Sequence, residues 1–253
     1  MDSYQKSMLG THRDRLGVAT KVASQASRDA TAALGQAANY RDPNLSDDGL
    51  AARRRELREQ HANASREVVA SLRNQVKESL ANVRFVASET RPKIAKNDGA
   101  ALIRSQQKWD QARTMLESGT AMENILRNAD LDTVLAIEEF GPSWIASRTR
   151  KDVGIFRDFD ADPTAATGRF RDEIDRRLVH ISDPDTAAAI TALRVGEAQA
   201  QAAAEWLDHT EARIDGRGGS DMEVAIRAQY AEGQAEQLAQ SFAAPAETEG
   251  DAS

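Results

Sequence analysis

The chain has 253 residues, no cysteine, and 40 acidic against 33 basic residues for a net charge of −7, which excludes a disulfide framework and a thiolate metal site and fits a reducing cytoplasm. No run approaches 18 consecutive apolar residues, and Met1-Asp2-Ser3-Tyr4 is not a basic stretch leading into an apolar one, so neither a membrane span nor a secretory signal is expected. Leu, Ile, Val and Phe together make up roughly 18 % of the chain, less than an ordinary globular core uses; alanine fills the deficit, which favours helices that form readily and bury little area each.

Taken in chain order, the first helix is expected over about residues 12–39. Along it Leu16, Ala19, Ala23, Ala26, Ala30, Ala33 and Ala37 step by three and four without a slip. Such a seam suits close contact with another helix, within the chain or between chains. The second helix is expected over about 47–90 on the line Leu50, Leu57, Ala64, Val68, Leu72, Val76, Leu80 and Val83. The link from Asn39 to Ser46 is short enough to fold the two back as an antiparallel hairpin. Shorter helices are expected over about 98–118, 120–129 and 131–140, the second opened by a Thr120/Glu123 capping box. The chain then stops at Gly141-Pro142 and restarts from Pro142 to about Arg150. Residues 152–162 read as a loop. Asp162-Pro163 and Asp183-Pro184 place an acidic cap before a proline at the first helical position, opening helices over about 163–181 and 184–214. After the Gly216-Arg217-Gly218-Gly219 break, Ser220 and Glu223 open a last helix to about 242. No segment reads as a strand. The organisation expected is all-α: a coiled-coil-like hairpin over 1–91, a helical subdomain over 92–215 anchored by Phe140, Trp144, Phe156, Phe159 and Phe170, a C-terminal helix over 216–242, and a disordered acidic tail over 243–253.

Chemistry is sparse. Asp158, Asp160 and Asp162 open like a calcium-binding loop, but the positions that need glycine and a bidentate glutamate hold Pro163 and Arg169. His12, His61, His180 and His209 include no pair four apart, so no two can ligate a metal from one helix face. His61, in line with Leu57, Ala64 and Val68, is the one expected at a helix contact. Phosphate-loop, dinucleotide-turn and nucleophile-elbow motifs do not occur. Catalytic, cofactor and metal residues are accordingly expected to be absent. The strongest charged feature is Arg53-Arg54-Arg55 with Arg58, a candidate partner-binding face that Glu56 and Glu59 interrupt. Charge is also divided: residues 1–100 carry 17 Lys/Arg against 12 Asp/Glu, the remainder 16 against 28. Opposed halves favour head-to-tail association, or let the basic half meet an anionic partner.

In these traits together the chain resembles bacteriophage scaffolding and other virion-assembly proteins. The likeness is compositional, spans the chain and rests on no motif. It implies a non-enzymatic protein that associates with itself and meets a capsid or portal surface through the basic 50–66 region, in the host cytoplasm or the virion. The alternatives are a nucleic-acid-associated regulator using the basic half and, third, a metal-dependent enzyme. A membrane partner is not expected, because alanine stripes make poor lipid-facing surfaces.

Overall fold

The computed structural model describes residues 1–149 and 163–243 and, among these, is all-α: α1 (Ser3–Ala38), α2 (Asp47–Thr90), α3 (Gly99–Glu117), α4 (Met122–Arg127), α5 (Leu131–Thr149), α6 (Pro163–Ile181), α7 (Pro184–Ile214) and α8 (Asp221–Ala243). The expected loop over 152–162, with Phe156 and Phe159, and the tail from Ala244 lie outside the described residues. Contacts divide the chain into two compact units, residues 1–89 with 191–240, and 90–190 with 241–253. This division is not the linear one drawn above, since the N-terminal helices share a unit with the later part of α7 and with α8.

In the first unit the side-chain contacts fix every helix direction. Tyr40 accepts from Arg54, Ala19 and Ala23 cluster with Val69, and His12 meets Ser79. Numbers that rise on α1 therefore fall on α2, which makes the pair antiparallel. Against α7, Leu16 lies at Gly196, Ala19 and Ala23 at Ala203, and Thr31 at Arg213, so α1 and α7 run parallel. Arg84 pairs with Glu197, Arg73 with Asp208 and Glu211, and Arg66 with Asp215, so α2 opposes α7. Helix α8 opposes α7 in turn, with Asp221 at His209 and Arg227 at Glu205.

Small residues set the spacing of this unit. A Cβ on Gly196 would lie 2.8 Å from Leu16 Cδ1, so the side chain of α1 occupies the space that alanine would need on α7. Ala19, Ala23, Val69, Ala203 and Leu207 form the shallow core beside this crossing.

The second unit is built on larger residues. Trp109 of α3 stacks edge-on against Trp144 of α5 and lies 6.3 Å from Phe140, while Phe170, Ile174 and Leu178 of α6 are buried. Helix α5 differs from expectation, because it continues through Gly141-Pro142 instead of stopping there. The glycine is explained by packing: a Cβ at 141 would collide with the Phe170 ring. Pro142 is exposed.

Helix ends follow capping chemistry, with three departures from expectation, one of them at α8, where Ser220 and Glu223 form no capping box and Glu223 pairs with Arg227 instead. Helix α1 starts nine residues earlier than expected because Asp2 and Gln5 form a capping box, each side chain bonding the other's backbone N–H. Helix α4 starts at Met122 behind Ala121, with no side-chain cap, in place of the expected Thr120/Glu123 box. Thr120 is already committed: its N–H bonds the Met115 carbonyl while Gly119 N–H bonds Leu116, and Gly119 has φ 93°. Those two bonds are a Schellman closure of α3. Gly216, φ 77°, closes α7 in the same way. The Asp183 cap forms as expected, accepting from the backbone of Asp185 and Thr186 ahead of α7.

Candidate interaction surfaces

Five of the seven seam residues on α1, namely Leu16, Ala19, Ala23, Ala30 and Ala37, are buried by this chain's own helices. Ala26 and Ala33 are half-buried and line an open groove of about 760 Å³ between α1 and α2. Val18 and Val22 of α1 and Ala64 and Val68 of α2 form more of its wall, with His61 at the same place and only half-buried. The valines are large and wet: Val18 is 52 % exposed, Val22 42 % and Val68 50 %. Apolar side chains grouped on one solvent-facing surface mark a site of contact more often than scattered ones do. The groove also carries Lys21 and Arg28, which are exposed and make no ion pair among the described residues.

The arginine cluster on α2 is only partly available. Arg53 pairs with Glu56 at 2.5 Å, which holds its pKa above the ordinary value, and Arg54 Nε donates to the Tyr40 carbonyl at 2.9 Å. Arg54 thereby serves the turn that joins α1 to α2. Arg55 and Arg58 are exposed and make no ion pair among the described residues.

Other arginines of α2 were not singled out in the sequence and prove to be structural. Arg66, Arg73 and Arg84 reach across to α7, where Arg73 meets Asp208 and Glu211 at 2.8 Å each. In the second unit Arg91 lies under the surface with Glu138 and Asp175, both at 2.7 Å. Asp175 is fully buried. Burial pushes its pKa up while the Arg91 guanidinium pulls it back, and the net direction is upward. Burial works against the charge on Arg91 as well, but Asp175 and Glu138 outweigh it and hold the guanidinium above its ordinary pKa. This cluster ties the residue just after α2 to α5 and α6. It is a packed salt-bridge set, and Arg91-Pro92 read only as a helix stop misses it.

Of the histidines, His12 and His209 are the packing and tethering groups, while His61, expected at a helix contact, stands half-buried in the open groove. His12 is buried against Ser79 at 3.3 Å, and burial, followed by Arg15, pulls its pKa below 6.5. His209 bonds Asp221 at 2.7 Å; Arg213 bonds the same carboxylate at 2.6 Å and Thr31 at 2.8 Å, so one cluster joins α1, α7 and the start of α8. No group of three or more His, Asp or Glu side chains able to hold a metal occurs among the described residues. Asp158, Asp160 and Asp162 lie outside them. No helix among the described residues is long and apolar enough to cross a membrane.

Comparison with models of protein families, with curated proteins and with solved structures finds no match. A functional reading therefore rests on the surfaces themselves.

Proposed function

We propose that this protein is a non-enzymatic helical assembly protein that works by associating with itself and docking on another protein, in the manner of virion scaffolding proteins. The observation that carries this reading is the wet apolar groove on α1 and α2, with Val18, Val22 and Val68 each about half exposed around small alanines. A lone folded chain gains nothing from that arrangement, whereas an incoming helix would bury it. The division of charge along the sequence adds little to this, because residues 1–89 and 191–240 share one unit in which Arg66, Arg73 and Arg84 already pair with Asp215, Asp208 and Glu197 of the same chain. In such an assembly a capsid or portal subunit is the second partner, met through Arg55 and Arg58. Nucleic acid draws less support, because Arg53 and Arg54 are already engaged by Glu56 and Tyr40.

Light scattering coupled to size-exclusion chromatography tests the reading across a tenfold dilution and at low and high salt. Mass that rises with concentration and falls with added salt is the expected result. A monomer under every condition would refute self-association.

A further inference from the structure

Helix α8 is apolar on two opposite sides. Val224, Ala228, Ala231 and Ala235 face into the first unit and are buried. Met222, Ile226 and Tyr230, four residues apart, form a second stripe that is 73 %, 60 % and 70 % exposed. Three large side chains at that spacing lie on one helix face and span about 12 Å along the axis. That is the spacing by which an amphipathic helix seats in a groove, and the first unit carries an open apolar groove on α1 and α2.

We infer that the Met222–Ile226–Tyr230 face of α8 docks into the α1–α2 groove of a second copy of this chain. The inference deepens the self-association reading and rests on it. Shape and charge both select this occupant. The groove offers alanines at 26, 30, 33 and 64, which let a helix approach closely, and valines at 18, 22 and 68 for large side chains to pack against. Lys21 and Arg28 on its walls have no counter-ion among the described residues; Asp29, the one carboxylate there, accepts from the Gln25 amide. Helix α8 brings the opposite sign. Its single cation, Arg227, is held by Glu205 and Glu223 of its own chain, while Glu232 and Glu236 are exposed and without an ion pair among the described residues. Groove and stripe are different surfaces, so the contact is heterologous. It closes if two copies exchange helices reciprocally and grows into chains if they do not.

The absence of cysteine makes the test direct. Chains carrying Val22→Cys are mixed with chains carrying Ile226→Cys under mild oxidation, and the cross-linked dimer is compared with that from each variant alone. The mixture is expected to cross-link well above either single variant. Ile226→Glu, at a 60 % exposed position that the fold does not need, is expected to weaken association roughly tenfold or more with unchanged helical circular dichroism. Val22→Glu is expected to match it from the groove side. If the wild-type chain associates but Ile226→Glu leaves its mass unchanged and the mixture cross-links no better than the single variants, this contact is wrong and self-association stands. A wild-type chain that is monomeric throughout overturns both.

Discussion

At Gly141 a hydrogen atom is all that fits between α5 and the buried Phe170 ring. Replacing a helical glycine by alanine ordinarily stabilises by about 1 kcal/mol. Gly141→Ala is expected to reverse that sign and cost about 1–3 kcal/mol, because a buried aromatic ring has nowhere to turn. Gly10→Ala in α1, where a Cβ would meet nothing within 4 Å, is expected to gain about 0.5–1 kcal/mol instead. Urea unfolding of the two variants checks both signs, and a gain at Gly141 would mean that Phe170 can yield. The acid limb of stability is also set by single residues. Asp130 accepts from Lys108 at 2.7 Å and from the backbone and side chain of Thr133 ahead of α5, which pulls its pKa from 3.8 to about 2. A carboxyl whose folded pKa is depressed stabilises above its unfolded value and loses that contribution as pH falls through the folded one. Asp130→Asn is therefore expected to flatten the decline in melting temperature between about pH 4 and pH 2. The effect should be under about 1 kcal/mol, since the Asp130 carboxylate is more than half exposed and solvent screens the pair.

At the scale of helices, α2 is tied to α7 by a ladder whose spacing is written in the sequence twice. Arg66, Arg73 and Arg84 are separated by seven and eleven residues, and their partners Asp215, Asp208 and Glu197 by the same intervals in reverse order. Seven and eleven are near two and three helical turns, so each set stays on one face. Arg73 is the least exposed of the three and engages two carboxylates. Arg73→Ala is expected to cost about 1 kcal/mol in urea unfolding, with Arg66→Ala and Arg84→Ala within about 0.5 kcal/mol of wild type. Equal losses at all three would show that exposure does not rank them. Local signals told the elements well where one residue has one role: Pro163 and Asp183-Pro184 mark the starts of α6 and α7, and Gly119 and Gly216 mark the ends of α3 and α7. They misled where a residue served its neighbour. Thr120 closes α3 and so is lost to α4, and Gly141 admits a ring from α6 where the local pattern signals a break. The seam on α1 was legible from its period, whereas the Arg66, Arg73 and Arg84 ladder, lying among many other charges on α2, was not. The side to which the seam turned was not legible either, because Gly196 and Ala203 stand about 180 residues away.

On the scale of the whole molecule that separation decides how the chain must fold. The first unit joins residues 1–89 to residues 191–240, and all of residues 90–190 lie between them in the chain. Its core contacts, Leu16 at Gly196 and Val69 beside Ala203 and Leu207, close loops of well over a hundred residues, which is entropically costly and slow. The second unit closes over nearer neighbours, such as Trp109 with Trp144 and Arg177 with the Ala129 carbonyl. A chain ended after Ile190 would keep α1 and α2 but lose every α7 side chain that covers Leu16, Ala19, Ala23 and Val69. Alanine packing is shallow, and each uncovered residue removes much of what little area the hairpin buries. Hydrogen exchange read by mass spectrometry on that truncated chain is expected to show protection falling throughout residues 1–89 while the helices between residues 99 and 181 stay protected. If instead α1 and α2 keep their full-length protection, the hairpin is stable by itself, and the coverage given by α7 is an accessory to the first unit instead of the condition of its folding.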